Sequence, residues 1–401
     1  AMDAITQGDY NVAVGYNAGT AISSGSYNIL IGGLAGDALT TGGENIALGF
    51  AALSSEDGNG KNIAIGSNAL EDLNAGADAY NIAIGHDAGR NISTGTYNTL
   101  VGGLAGDAIT TGAGNTAIGY QAGTSITEGG ANIAIGRGSG DAVTTGGDNI
   151  SIGQSALGAE DGHGKNIAIG TNALNAQNAG EDGYNVAIGY DAGKSVTDGV
   201  NNVLIGGSAG DALTAGDFNI AIGKHALGAE DGHGYNVAIG HETLKVQNAG
   251  ANAYNVAVGY KAGVTVSTGI QNTLIGGTAG DALTTGSYSV AIGYKALSRE
   301  DTGSNNVAIG YYALEALNYD GSGYNVAIGH SAGAVVTTGI ENVIVGALAG
   351  DALTTGSNNT AVGFAALSSE DGNGNNTAIG YETLKAQNAG ADAYNVAVGH
   401  Q

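Results

Sequence analysis

One short motif recurs through the whole chain and limits what it can fold into. The motif is Asn-aliphatic-Ala-aliphatic-Gly, and it begins at 23 anchor positions, the first at Asn11 and the last at Asn395. The anchor residue is Asn everywhere except at Ser289, and consecutive anchors are 17 residues apart except for five steps of 19. A strict period of this length is typical of a solenoid, in which each repeat forms one coil that packs only on its neighbours.

The positions within a coil predict its local structure. Gly occupies anchor+4 in all 23 coils, anchor+3 is always Ile, Val or Leu, and anchor+1 is Val or Ile in 18 coils and Thr in five. Alternating aliphatics around a small residue have the period of a β-strand, and the Gly provides a bend without a Cβ penalty. A second apolar segment follows, with Ala at anchor+7 and an aliphatic residue in many coils at anchor+11. We therefore predict two short strands per coil and a thin core of Ile, Val and Ala.

Four coil types alternate to give a 70-residue super-repeat. The first three types are 17 residues long and the fourth is 19. Complete super-repeats span residues 11–80, 115–184, 185–254, 255–324 and 325–394, and residues 81–114 contain only the first two coil types. Because the period is unbroken, we predict one continuous domain over residues 1–401, an all-β parallel β-solenoid (β-roll) of about 23 coils. Stacking at about 4.8 Å per coil would give a rod of roughly 110 Å.

The two ends of the sequence together supply one further coil. Residues 395–401 followed by residues 1–10 make 17 residues with the pattern of the first coil type, in which Ala1 takes the anchor+7 position and Ile5 the apolar anchor+11 position. We predict that the C-terminus of one molecule completes a coil with the N-terminus of the next. A segment cut from a longer array is the alternative. The predicted assembly interface comprises Ala1, Ile5, Tyr10, Asn395, Val396, Val398 and Gly399.

The net charge of the chain limits the kinds of molecule that it could bind. Lys and Arg number 11 against 36 Asp and Glu, which gives a net charge of −25. A surface this acidic argues against nucleic-acid binding, because neutralising phosphates requires basic groups. The sequence has no apolar run of membrane-spanning length, so we expect no membrane insertion by this chain. Cysteine is absent, so neither disulfides nor thiolate metal sites are possible.

Acidic side chains recur in the third coil type and are the candidates for metal binding. A Glu-Asp-Gly sequence closes most of these coils, and stacked carboxylates could bind Ca²⁺ through oxygen ligands. The spacing matches no known calcium loop, so solvated turns are the preferred interpretation and no cofactor is expected. The calcium candidates are Glu56, Asp57, Glu160, Asp161, Glu230, Asp231, Glu370 and Asp371. The seven His residues are dispersed, although His163 and His233 share one turn position, and we expect no histidine metal site.

Two further sets of residues recur with the coils. Asp37 and its equivalents in the second coil type are predicted to accept backbone N–H bonds within a turn. Tyr residues precede many anchors, as at Tyr80 and Tyr97. They either cover apolar surface or form an exposed aromatic stripe suited to protein or glycan adhesion.

The motif at Asn62 to Gly66 and Asn185 to Gly189 resembles the head repeats of YadA-like trimeric autotransporter adhesins and is similar to repeats of some phage tail-fibre proteins. The resemblance implies a left-handed β-roll, usually trimeric, that is displayed outside the cell or virion. This chain differs in its longer coil and its four-coil super-repeat.

The regular repeat also limits the functions that the chain could have. Catalysis requires one asymmetric constellation of side chains, which a regular repeat does not offer, so we predict that the chain is not an enzyme. We predict an extracellular structural fibre, on a cell surface or virion, that polymerises head to tail. The alternative is a receptor-binding adhesin or tail-fibre segment, a trimeric β-roll whose partner would be a surface receptor or glycan.

Overall fold

A computed structural model of the chain describes residues 2–388 and 390–401. The fold is all-β, with 23 parallel strands of three residues each arranged as a β-solenoid of about 23 coils, so the predicted fold class is confirmed. The chain divides into two compact units, Ala1–Asn201 and Asn202–Gln401, and each is a β-solenoid by itself. That both units belong to one continuous solenoid stays a prediction. No helix occurs among the described residues, so none of them forms a helix able to cross a membrane.

The strands follow the anchors one by one. In the first unit they are β1 Val12–Val14, β2 Ile29–Ile31, β3 Ile46–Leu48, β4 Ile63–Ile65, β5 Ile82–Ile84, β6 Thr99–Val101, β7 Thr116–Ile118, β8 Ile133–Ile135, β9 Ile150–Ile152, β10 Ile167–Ile169 and β11 Val186–Ile188. In the second unit they are β12 Val203–Ile205, β13 Ile220–Ile222, β14 Val237–Ile239, β15 Val256–Val258, β16 Thr273–Ile275, β17 Val290–Ile292, β18 Val307–Ile309, β19 Val326–Ile328, β20 Val343–Val345, β21 Thr360–Val362, β22 Thr377–Ile379 and β23 Val396–Val398.

Within each unit, consecutive strands pair in parallel with identical positions opposite each other. Val12 lies opposite Ile29 in the first unit, and Val203 lies opposite Ile220 in the second. Every coil position therefore forms a ladder of equivalent side chains along its unit, as expected for stacked repeats.

The prediction of two strands per coil is wrong, and so is part of the predicted core. Each coil has one strand, and the second apolar segment folds as a series of turns. In β3, the middle residue Ala47 is fully buried, whereas Ile46 and Leu48 are only half-buried because they point outward. The interior is built from positions anchor+2, +7, +8 and +11, so the Ile and Val residues at anchor+1 and +3 form an outer face rather than a core.

Side chains of complementary size fill the interior. In the second coil type anchor+2 is usually large, and Leu30 lies between two glycines at anchor+8 of adjacent coils. A Cβ placed on Gly19 or Gly36 would lie 2.7 or 2.9 Å from the methyl groups of Leu30.

In the third and fourth types anchor+2 is Ala except at Ser151, and anchor+8 is a Leu, such as Leu53, that is fully buried except at Leu384. The first coil type carries Ala and Gly at these two positions, as at Ala83 and Gly89. Gly89 faces large side chains of the neighbouring coils, which suits a close-packed interior.

Stacked asparagines link the coils through their buried anchors. The Asn28 side-chain oxygen accepts the backbone N–H of Asn45 at 3.0 Å, and the Asn28 Nδ2 donates to the Gly42 carbonyl of its own coil at 3.0 Å. The same pair of bonds recurs along both units, as at Asn342 in the second. The anchor thus satisfies backbone groups that burial would otherwise leave unpaired, a role that the sequence analysis did not assign to it.

Two physical constraints explain why anchor+4 is always Gly. Gly66 has a φ of +139°, which is accessible to few residues other than glycine. A Cβ on Gly66 would also lie 2.2 Å from the carbonyl oxygen of Gly85 in the next coil. The predicted bend without a Cβ penalty is confirmed, and the close approach between neighbouring coils adds a steric requirement.

Candidate functional site

An apolar face runs along the strands of each unit. It consists of the outward side chains at anchor+1 and +3, which are mostly Ile and Val. Most are half-buried, and Ile84, Ile118 and Ile328 are each 38% exposed. Contiguous apolar surface of this kind is uncommon on soluble monomers and marks a surface suited to protein contact.

Two rows of exposed aromatic rings flank this face at anchor−1 and anchor+5. In the first row Phe218, Tyr235 and Tyr254 stack with ring centroids 5.1 to 5.3 Å apart. In the second, Phe364 and Tyr381 stack at 5.4 Å. Between the two alternatives for the Tyr residues, the structure favours exposed stripes. Because neighbouring rings cover each other's faces, the stripes present ring edges and hydroxyl groups to solvent rather than open faces for sugar stacking.

Residues 2–10 form the second part of a coil that stacks on the coil beginning at Asn11. Met2 donates its backbone N–H to Ala18 at 3.1 Å, as Gly19 does to Ala35 one coil later at 3.0 Å. Met2 also has the positive φ of anchor+8, at 50°. Position by position, residues 2–10 therefore occupy anchor+8 to anchor+16 of a coil.

Residues 395–401 form the first part of a coil at the C-terminal edge of the second unit. Val396 and Val398 pair with Thr377 and Ile379 in the usual parallel arrangement. Gln401 has a φ of 58° and donates its N–H to Tyr381 at 3.0 Å, which matches anchor+6 of other coils. These residues therefore occupy anchor to anchor+6.

This edge of the second unit has an open cavity of about 570 Å³. Leu384 lines the cavity and is only partly buried, whereas its equivalent Leu70 is fully buried beneath the next coil. Among the predicted assembly residues, Ile5, Tyr10, Val396, Val398 and Gly399 are exposed and Asn395 is half-buried, while Ala1 lies outside the described residues.

The acidic pairs of the third coil type separate into an inward and an outward residue. Glu56 is fully buried at anchor+11, where the other coils mostly carry Leu, Ile or Val, and Asp57 is exposed. The same division holds at Glu160 and Asp161, and it recurs at Glu230 with Asp231 and at Glu370 with Asp371. The interpretation as solvated turns is therefore wrong for the glutamates. Within each pair one carboxylate is therefore buried and the other is exposed.

Two of these turns also contain a histidine close to the carboxylates. His233 Nδ1 lies 3.3 Å from Glu230 Oε1 and 4.0 Å from Asp231 Oδ1. Glu160, Asp161 and His163 form the equivalent group, and within each group the possible ligand atoms lie within 4.8 Å of one another. Among the described residues, these two groups could hold a metal ion, with three ligands each. The sequence showed the shared turn position of the histidines but could not show that the glutamate turns toward them.

The aspartates of the second coil type are bonded on one side only at Asp37 and Asp351, where the residue's own backbone N–H bonds to the carboxylate within the turn, as predicted. One carboxylate oxygen of Asp37 and one of Asp351 are buried without a hydrogen-bond partner. Burial raises the pKa of both carboxyls above the ordinary aspartate value. These carboxyl groups are therefore poorly solvated. A Gly-Asp sequence alone would instead suggest an exposed turn.

Comparisons of the chain with protein-family models and with curated proteins find no match. The resemblance to adhesin and tail-fibre repeats therefore stays a prediction from the motif.

Proposed function

We propose that this chain is an extracellular structural fibre protein that assembles head to tail by completing a coil between two molecules. The observation that supports this proposal is geometric. Residues 395–401 occupy anchor to anchor+6, residues 2–10 occupy anchor+8 to +16, and Ala1 would take the one position between them. The proposed role is not enzymatic, because side chains repeated from coil to coil offer no single asymmetric constellation for catalysis.

The proposed junction would repeat contacts that already occur between neighbouring coils. Leu70 donates its N–H to Ala88 at 3.1 Å, and Asp72 donates to Arg90 at 3.0 Å. By position, the amides of Leu384 and Ala386 would donate in the same way to Ala1 and Asp3 of the next molecule. An open β edge of this kind favours the addition of another chain.

Apolar burial would add to these backbone bonds. The equivalent of Ile5 in the next coil is Ile22, which is fully buried, whereas Ile5 is 39% exposed. Docking of a second molecule would cover both Ile5 and Leu384. At about 25 cal/mol per Å², complete burial of one such side chain contributes about 1.5 to 3 kcal/mol.

The test compares filament formation by the polypeptide of residues 1–401 and by two single variants. Ile5→Asp places a charge at the buried anchor+11 position, and Gln7→Asp adds the same charge at an exposed position of the same segment. We expect filaments in electron micrographs of the unaltered chain and of Gln7→Asp, and separate short particles for Ile5→Asp. Filaments of undiminished length in Ile5→Asp would refute the completed coil.

The apolar face supports a second candidate, a trimeric adhesin or tail-fibre segment that binds a receptor. The outward Ile and Val side chains would be buried if copies of the chain packed side by side. Light scattering of the dispersed Ile5→Asp variant distinguishes the two proposals. A mass three times that of the chain favours the trimer, and a monomeric mass favours the single-chain fibre.

A further inference from the structure

A row of buried carboxyl groups lies in the interior of the third coil type. Glu56, Glu160, Glu230, Glu300 and Glu370 are all fully buried at anchor+11. This position points into the core, and in most other coils it is aliphatic, as at Leu39 and Leu73 on either side of Glu56. Carboxyl groups are seldom placed in such a position, because removing an ionised carboxylate from water is costly unless it is paired.

Neutral groups provide most of the bonds to these carboxyls. Glu56 Oε1 accepts the backbone N–H of Asn59 at 3.0 Å and its Nδ2 at 3.2 Å, while Glu56 Oε2 is buried without a partner. Glu370 binds Asn373 in the same way and also leaves Oε2 without a partner. Glu300 Oε1 accepts the N–H of Gly303 at 2.7 Å.

Charged neighbours are few and mostly acidic. The chain places Asp57 beside Glu56 and Asp301 beside Glu300, and the next coil adds Asp78, which binds the amide of Gly60 and Lys61. Asp161, Asp182 and His163 act on Glu160, and Asp231 and His233 lie near Glu230. The residues at anchor+11 of the coils before and after each of these glutamates are uncharged. They are Leu39 and Leu73, Val143 and Gln177, Leu213 and Gln247, Leu283 and Leu317, and Leu353 and Gln387.

We propose that the buried Glu56 and Glu300 are proton-binding groups of an acid-responsive core, in which protonation stabilises their coils and ionisation loosens them. A protonated carboxyl needs no counter-ion and gains an O–H donor. An ionised Glu56 would remain in an apolar interior with Oε2 unpaired, and an ionised Glu300 would have only the Tyr319 amide, 3.4 Å away, at Oε2. The inference is independent of the head-to-tail assembly, because it concerns the interior of each coil.

The direction of the response follows from the pKa values. Burial raises the pKa of Glu56 and Glu300 above the ordinary value for glutamate. Their contribution to stability is therefore fully present below the unfolded-state pKa and is lost as the pH rises through the higher folded-state pKa. Lysine partners lower the pKa values of a second set of carboxyls, which are Asp78, Asp182, Glu242 and Glu382. The contribution of this set is lost only as the pH falls below the ordinary carboxyl range.

The test measures thermal unfolding at pH 7.5 and pH 5.0 in EDTA for the unaltered chain and two double variants. Glu56→Gln with Glu300→Gln removes two buried carboxyls that have no histidine beside them. Asp57→Asn with Asp371→Asn removes two exposed carboxyls of the same coil type, so the change in net charge is matched. We expect the unaltered chain and the aspartate variant to gain several degrees at pH 5.0, and the glutamate variant to be more stable at pH 7.5 with a smaller gain.

Equal gains in all three proteins would overturn the proposal, because the pH response would then come from the overall charge. A titration of ¹³C-labelled glutamate side chains in the unaltered chain gives a second test that does not depend on variant folding. The proposal requires a set of glutamates that titrates above the ordinary range, and titration of every glutamate within that range would contradict it.

Discussion

The stacked asparagines at the anchor positions, which form a ladder along each unit, lead to a specific prediction at Asn98. Its side-chain oxygen accepts the backbone N–H of Asn115 at 2.9 Å, and its Nδ2 donates to the Gly112 carbonyl at 3.0 Å. Asn98→Ala removes both bonds, together with the bond that the Asn98 oxygen accepts from Asn115 Nδ2 at 3.1 Å, and leaves two buried backbone groups without partners. Each such group costs about 1 to 3 kcal/mol, so we expect a local destabilisation of about 2 to 6 kcal/mol.

Two further variants make the prediction specific. Asn98→Ser keeps an acceptor, as at the natural exception Ser289, whose Oγ accepts the N–H of Asn306 at 3.3 Å. It leaves only the Gly112 carbonyl unpaired and should cost about 1 to 3 kcal/mol. Asn91→Ala removes an exposed side chain of the same unit and should change stability by less than about 1 kcal/mol.

The suitable assay is native-state hydrogen exchange of the amides in β6 and β7, because a repeat array does not unfold as a single two-state system. Exchange of these amides reports local opening free energies. The expected order of destabilisation is Asn98→Ala, then Asn98→Ser, then Asn91→Ala. An Asn98→Ala protein whose amides exchange as slowly as those of Asn91→Ala would refute the structural role of the ladder.

Other parts of the structure lead to four further predictions. Ala134 occupies the anchor+2 position at which most second-type coils carry Leu or Ile. Ala134→Leu combined with Ser151→Ala should therefore fill the interior and stabilise the local structure by about 0.5 to 2 kcal/mol, as measured by hydrogen exchange in β8 and β9. Faster exchange in the double variant would show that this coil has no room for Leu. Gly66→Ala should cost more than about 3 kcal/mol, because the new Cβ meets the Gly85 carbonyl at a positive φ, and a stability unchanged in the same assay would contradict the close approach. Ser289→Asn should restore the missing amide and add about 1 kcal/mol, detected by hydrogen exchange in the adjacent coils, where slower exchange is expected. Addition of EDTA should leave the unfolding midpoint unchanged, because one carboxylate of each acidic pair is buried in the coil and only the other is exposed to solvent. A fall in the midpoint would support the calcium candidates.

Periodicity allowed the architecture to be predicted from the sequence. The anchors gave every strand position, and the Gly at anchor+4 gave the bend, because both depend on local chemistry repeated 23 times. The direction of the side chains was predicted less well. In a three-residue strand such as β3, alternation shows that Ile46 and Leu48 share a face but does not show which face is inside.

The acidic turns show a second limit of the sequence. Glu56-Asp57-Gly58 has the composition of a solvated turn, and only the coil position places Glu56 among the inward residues. Counting from the anchor could have revealed this, because anchor+11 is apolar in most other coils. The general expectation that charged residues are exposed led to the wrong prediction for Glu56, although its position in the coil indicated burial. The pairing of Asn28 with Asn45 across coils also required the three-dimensional arrangement.

The most direct test of the proposed assembly is electron microscopy of purified residues 1–401 beside the Ile5→Asp variant. We expect filaments many times longer than one molecule for the unaltered chain and short particles of uniform length for the variant. Uniform short particles in both samples would contradict the completion of a coil between molecules.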